Sequence, residues 1–280
     1  MTELLDCPAP AKLNLFLHVV GRRGDGYHLL QSAFRLLDRA DRLDFSLRHD
    51  GLIRRVTDVP GVREDEDLVV RAARLLQART GVSLGADISV RKQLPMGGGL
   101  GGGSSDAATT LIALNRLWNA GLDRATLQEL GLRLGADVPF FVFGQSAFVE
   151  GVGEELQPLP LAPAWYVVVE PGVSVPTAEI FSAEDLTRNT APIKITDFAA
   201  SATRNDLEGV AVRRYPEVRD AIEWLSRYGE AQMTGSGACV FAGFTSEDEA
   251  RDVALQCPAR WQGWWAKGLD EHPLRAWVQG

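Results

Sequence analysis

The sequence predicts an α+β protein in two lobes. Segments with strand period and segments with helix period mix along it without a regular βαβ alternation, and a proline-rich stretch from Pro158 to Pro163 interrupts the chain. A run of six glycines in seven residues, Gly97 to Gly103, stands between a short β-like segment and an amphipathic helix. The expected division is therefore 1–160 and 161–280. With 280 residues, 45% of them apolar and 24% charged, the chain can bury a sizeable core without disulfides.

The elements follow in order. Ala11 to Val20 alternates, Leu13, Leu15, Leu17 and Val19 opposite Lys12, Asn14, Phe16 and His18, which is a strand with one core face and one face free for chemistry. Arg22 to Gly26 holds a Gly-Asp-Gly turn, followed by Tyr27, His28 and a new apolar segment. The spacing of Leu68, Ala72, Leu75 and Leu76 predicts a helix over 67–78, with Gly81 just past its end. Ala86 to Val90 is β-like and leads into Pro95-Met96. After the glycines, Ala107, Leu111, Leu114 and Trp118 predict a helix over 106–118, and Asp123 is a suitable N-cap for another ending near Gly135. Beyond the prolines, Trp165 to Val169 reads as a strand, Thr203 to Tyr228 as mostly helical and Ala238 to Phe244 as a strand. A last helix opens on the capping box of Ser246 and Glu249 and stops before Pro258.

Composition removes several function classes. A net charge of −8 disfavours a polyanion over most of the surface, so a phosphate-bearing ligand needs local donors, and nucleic acid is not expected as a partner. Cys7, Cys239 and Cys257 form neither a disulfide framework nor a metal knuckle, which fits a reducing cytoplasm. Glu3 and Asp6 stand where a signal peptide carries basic residues, and no apolar run approaches the roughly 18 residues that span a bilayer, so neither export nor membrane insertion is expected.

The glycine run carries the chemistry. Without Cβ atoms its amides can converge on an oxygen cluster, and the helix that follows adds unpaired N–H groups and the positive end of its dipole, a device suited to a polyphosphate. Two familiar motifs fit badly. Gly98 and Gly103 have Walker-type spacing, but Ser104 occupies the lysine position; Gly97, Gly99 and Gly102 imitate a dinucleotide fingerprint that lacks its ribose acid. A flexible linker, a dinucleotide-binding oxidoreductase and a nucleotide-binding regulatory module are the alternatives. Positive charge must come from elsewhere, and Lys12, two residues from Asn14 on the polar face, is the candidate, although a lone lysine more often faces solvent. Asp137, flanked by Leu134, Val138, Phe140 and Phe141, would be a costly anion without a lysine partner or a catalytic task; a turn-capping role before Pro139 is the other reading.

Taken together, Pro10 to Leu15 (PAKLNL), Gly21 to His28 with its Gly-Tyr-His, Pro95 to Ala108 (PMGGGLGGGSSDAA), Gly135 to Pro139 (GADVP) and Thr234 to Phe241 (TGSGACVF) resemble the GHMP kinase superfamily. More narrowly they resemble its branch acting on a cytidylyl diphosphate alcohol of non-mevalonate isoprenoid synthesis, with mevalonate- and homoserine-type kinases as nearer rivals. The resemblance implies an N-terminal ATP-binding lobe, a C-terminal ferredoxin-like lobe and phosphoryl transfer from ATP with Mg²⁺, whose ligands beyond the region of Ser105 stay unassigned. It implies ATP contacts from Pro95, Met96, Gly97, Gly98, Gly99, Leu100, Gly101, Gly102, Gly103, Ser104 and Ser105. It also implies that Asp137 takes the substrate proton, Lys12 orients the hydroxyl, Asn14 holds the substrate, and Tyr27, His28 and Phe181 form a cytosine pocket. Thr177 and the second glycine stretch, Gly235, Ser236 and Gly237, are expected to contact substrate, with simple turns as their alternative. A monomer or weak homodimer is expected.

Overall fold

The computed structural model describes residues 1–278, and the side chains of all of these except 199 and 200. The first half of the chain runs β1 (Glu3–Arg22), β2 (His28–Arg48), β3 (Ile53–Arg55), α1 (Leu68–Thr80), β4 (Gly85–Arg91), α2 (Gly102–Leu117), α3 (Arg124–Leu132), α4 (Val138–Phe143), β5 (Ala147–Glu150) and β6 (Glu155–Pro158). The second runs β7 (Trp165–Glu170), α5 (Thr177–Phe181), α6 (Glu208–Arg214), α7 (Pro216–Leu225), β8 (Ala231–Met233), β9 (Val240–Phe244), α8 (Glu247–Leu255) and β10 (Gln262–Leu269).

Helix boundaries follow the capping chemistry. Asp67 accepts from the Val69 amide at the start of α1, and Gly81 ends it in the left-handed region at φ 69°. Asp123 caps α3 through Thr126 N, and Ser246 caps α8 through Glu249 N. The reading of 203–228 as mostly helical holds in divided form, and the start of α2 needs correction. The stretch 203–228 is two short helices, because Pro216 cannot donate into a helix begun before it and instead opens α7. And α2 begins at Gly102, four residues earlier than its apolar spacing shows, so the last glycines form its first turn.

The 21-residue β2 is the spine of a ten-stranded sheet: it pairs antiparallel with β1, β4, β5 and β10. The strand order β3-β4-β2-β10-β7-β9-β8 therefore runs through both halves of the chain. Within the second half the order β10-β7-β9-β8, with helices between β7 and β8 and between β9 and β10, is the ferredoxin-like arrangement. One core lies between the first-half strands and α1 to α4, and a second packs α6, α7 and α8 on the other strands. A third apolar layer joins the halves: Ala11, Leu13, Leu37 and Leu94 meet Tyr166, Val168, Phe241 and Trp264, with Leu100 among them. That placement explains the single interruption in the glycine run, since Leu100, 1% exposed, anchors the loop in this layer.

Strand β1 is longer than its alternation and is broken by register shifts between Pro10 and Lys12 and between Asn14 and Leu17. Its polar face is not uniformly free. Lys12 and Asn14 turn toward a cavity, whereas Phe16 is fully buried against Phe148 and Phe198.

Candidate active site

Two cavities flank the glycine run. The larger, about 760 Å³, is lined by Lys12, Asn14, Tyr27, His28, Asp137, Thr177, Phe181 and Gly235 to Gly237. The smaller, about 370 Å³, is lined by Pro95, Met96, every residue from Gly97 to Ser104, and by Val59, Val62, Leu68 and Val90. Gly97, Gly99, Gly101 and Ser104 face both, so the wall between the cavities is glycine backbone and one hydroxyl.

The need for glycine is geometric. Gly97, Gly99 and Gly101 have φ of 73°, 77° and 71°, where L side chains are strained. A Cβ on Gly99 would lie 2.2 Å from the Thr234 carbonyl oxygen, and one on Gly235 would lie 3.1 Å from the Gly99 carbonyl oxygen. The two glycine stretches, 138 residues apart at Gly97 and Gly235, are packed backbone to backbone. Cys239 N donates to Gly98 O at 3.2 Å across the same contact. Gly101 is the N-cap of α2 and supplies no side-chain cap, which leaves amides at the helix start for an anion.

Lys12 is held from four sides. Its amide donates to Leu100 O at 3.0 Å, its ammonium donates to Asn14 Oδ1 and lies 3.5 Å from Asp137 Oδ2, and the Phe34 ring sits 4.8 Å beneath it. Asn14 is fixed in turn: its Nδ2 donates to Ser32 Oγ at 3.0 Å and its amide to Thr234 Oγ1 at 2.9 Å. The lysine side chain is 4% exposed and the aspartate 34%. This corrects the expectation that Asp137 is an anion enclosed by apolar neighbours. It stands at the N-terminal end of α4, and that helix turns Val138, Phe140 and Phe141 into the core, leaving the carboxylate at the open end. A carboxylate and an ammonium at one point of a cavity can remove a proton from a hydroxyl and steady the charge that develops.

Other expected residues are placed as follows. Thr177 and Ser236 share a hydrogen bond at 2.7 Å, which closes the second glycine stretch onto the start of α5. Tyr27 is 66% exposed, and the His28 and Phe181 rings are 4.9 Å apart, tilted by 33°. Ser105 departs from its expected contact. With α2 starting at Gly102, position 105 turns inward, so its hydroxyl is fully buried and lines neither cavity, while Ser104 lines both.

Three residues near these cavities escaped the sequence reading. Asn205 donates from Nδ2 to Met233 O and Gly235 O, holding the second glycine stretch. Lys92, at the end of β4, bonds both Asp41 and Asp106 beside the smaller cavity. Burial raises the Asp106 carboxyl to about 7, against the opposing pull of Lys92 and with the Asp41 charge adding to it. Arg188 bonds His28. Only Lys92 had a signal, a cation directly between a strand and the glycine run.

The family models agree with this geometry. The GHMP kinases N terminal domain matches residues 67–145, and the GHMP kinases C terminal domain matches residues 188–263. The chain belongs to the GHMP kinases. A relative from Aromatoleum aromaticum named 4-diphosphocytidyl-2-C-methyl-D-erythritol kinase is 68% identical over 99% of this chain and 98% of its own. One of the same name from Azoarcus sp. is 70% identical over 97% and 96%. A crystal structure of 4-(cytidine 5'-diphospho)-2C-methyl-D-erythritol kinase superposes with a TM-score of 0.80 at 36% identity, over 95% of this GHMP kinase and 98% of that chain. Among the described residues of this GHMP kinase no helix is long and apolar enough to cross a membrane, and no group of three or more His, Cys, Asp or Glu is poised to hold a metal ion.

Proposed function

We propose that this chain transfers the γ-phosphoryl group of ATP to the 2-hydroxyl of 4-diphosphocytidyl-2-C-methyl-D-erythritol, a step of non-mevalonate isoprenoid synthesis. The observation that carries the reading is one cavity in which Lys12 and Asp137 share walls with Tyr27, His28 and Phe181, next to a glycine wall with a second cavity behind it. The relatives of that name, matched over nearly their whole lengths, support the same substrate.

The triphosphate lies along the glycine wall, its charge met by backbone amides and the start of α2, while the adenine enters the smaller cavity between Val59, Val62, Leu68 and Val90. Asp137 accepts the proton of the 2-hydroxyl and Lys12 steadies the oxygen as it attacks phosphorus. Asn14 and the 235–237 stretch hold the diphosphate side of the acceptor, with Thr177, and the cytosine lies against Tyr27 and Phe181. Mg²⁺ fits the smaller cavity as a partner of the nucleotide: the Ser104 hydroxyl and Asp106, whose buried Oδ1 has no hydrogen-bond partner, offer hard oxygen donors there, and phosphate oxygens supply the rest. When bound it neutralises phosphate charge. The enzyme works in the cytoplasm as a monomer or weak homodimer, and its lobes divide near residue 160, at the proline-rich stretch.

The test is ADP release with the cytidylyl alcohol, mevalonate and homoserine side by side. Preferred turnover of the first is expected; preferred turnover of either other acceptor refutes the substrate and leaves the family intact.

A further inference from the structure

Arg188 turns four of its guanidinium hydrogen bonds to the base end of the larger cavity. Its Nη2 donates to Phe181 O at 3.0 Å and Ala183 O at 2.6 Å, and its Nη1 donates to Leu186 O at 3.2 Å. These bonds close the turn that follows α5, whose last residue is Phe181. Its Nε donates to Nε2 of His28 at 3.1 Å. One side chain thus ties the turn behind Phe181 to the histidine that begins β2, 160 residues away, and the two rings meet at 4.9 Å.

A guanidinium cannot accept a hydrogen bond, so the nitrogen it points at must be the unprotonated one. That leaves the His28 proton on Nδ1, which has no hydrogen-bond partner among the described residues and belongs to a residue lining the cavity. Burial, then the charges of Arg188 and Arg22, hold His28 below its ordinary range, which keeps the ring neutral at pH 7. A neutral ring with a fixed donor tells pyrimidines apart. Cytosine offers an acceptor at N3 where uracil offers an N–H, and a donor facing a donor is a lost bond at both.

We propose that Arg188 is a positioning residue for base selection: by binding Nε2 it fixes His28 as the Nδ1–H tautomer against Phe181, and so makes the cavity prefer a cytidylyl over a uridylyl diphosphate. The inference rests on the substrate reading above. Arg188 lines neither cavity, so it acts on acceptor binding through His28 and not on the chemical step.

The test uses the full-length enzyme with CDP and UDP as probes, together with side-chain ¹⁵N spectra of its four histidines, His18, His28, His49 and His272. In the wild type, His28 should carry its proton on Nδ1, and CDP should bind more tightly than UDP. Arg188→Met should shift the proton toward Nε2, weaken CDP about ten-fold, the size expected for one lost hydrogen bond, and bring the CDP to UDP ratio near one. KM for ATP should not move, and Arg188→Met added to His28→Ala should cost no further selectivity, because both act through one group. Should Arg188→Met fail to fold, Arg188→Lys keeps the charge without the fork and takes the same measurements. A wild-type His28 protonated on Nε2, or a ratio that the Arg188 variants leave unchanged, overturns the inference alone. A wild type that neither prefers CDP nor phosphorylates the cytidylyl alcohol overturns the substrate reading and the inference with it.

Discussion

Replacing Gly99 with alanine tests the packing of the two glycine stretches. At φ 77° an L residue pays about 1–2 kcal/mol for the left-handed conformation alone. The new methyl also lies 2.2 Å from the Thr234 carbonyl oxygen and 3.3 Å from that of Gly237. Both neighbours are backbone, so the contact opens to at least 3.0 Å only if one loop leaves the other. Movement on the order of 1 Å at a positioning element typically costs about 10² in rate, and that is the expected fall in kcat/KM. The strain alone should lower Tm by about 2–8 °C. Steady-state ADP release and thermal melting on one preparation measure both. Gly103→Ala is the stability comparison: it places the same methyl inside α2, where the nearest atom is Leu68 Cδ1 at 3.6 Å, and alanine should gain about 0.5–1 kcal/mol. A Gly99→Ala enzyme with unchanged Tm and kcat/KM within about threefold of wild type, well short of that 10², refutes the packing argument.

Asp137→Asn should lower kcat by about 10² to 10⁴ while changing stability by less than about 1 kcal/mol, since its ion pair is one-third exposed on the acid side; a folded variant keeping more than about a third of wild-type kcat removes Asp137 from the chemistry. Tyr27→Ala and Phe181→Ala should each weaken the cytidylyl acceptor by roughly 1–3 kcal/mol in a titration and leave ATP binding alone, and equal losses for both ligands would mean support of the fold instead. The fourth prediction concerns acid. Burial, then Arg124, holds His272 at about 3, below its unfolded 6.5, so the unfolded chain binds the extra proton between those values and stability falls as pH drops through that window, by up to about 1.4 kcal/mol per pH unit. His272→Gln should flatten the urea midpoint between pH 6.5 and 4.5, whatever it costs at pH 7, and parallel curves for variant and wild type would disprove the assignment.

The caps and the glycine run were legible because they are local. Asp67, Gly81, Asp123 and Ser246 each do their work within a few residues, and a run of glycines can mean little but close approach. What touches the glycines was not legible. The Thr234 carbonyl that requires Gly99 lies 135 residues along the chain, and no local pattern records it. Strand β2 escaped because charged residues such as Arg35 and Asp41, both fully buried, break its apolar alternation while bonding partners far away, Gly268 O and Lys92. Asp137 misled in the opposite direction: its sequence neighbours are apolar, but the helical period sends them away from it. Asn205 and Arg188 gave no signal, since a side chain whose partner lies far along the chain, a carbonyl for Asn205 and the His28 ring for Arg188, looks like any surface residue.

Strand β1 is synthesised long before the segments that complete it. Besides β2, its partners include the Leu100 carbonyl, the segment around Arg204 to Asp206, and Thr234, which lies 220 residues after Asn14. At about 5–20 residues per second a ribosome needs tens of seconds to cover that span. Throughout it, one edge of the strand carrying Lys12 and Asn14 has open backbone groups, a template for pairing with another nascent chain. Lys12 can be in place on β1, paired with β2, yet the floor of the acceptor cavity does not exist until the 233–237 segment arrives and Asn205 holds it. A nascent chain stalled before that point therefore carries the whole first glycine run and no acceptor site.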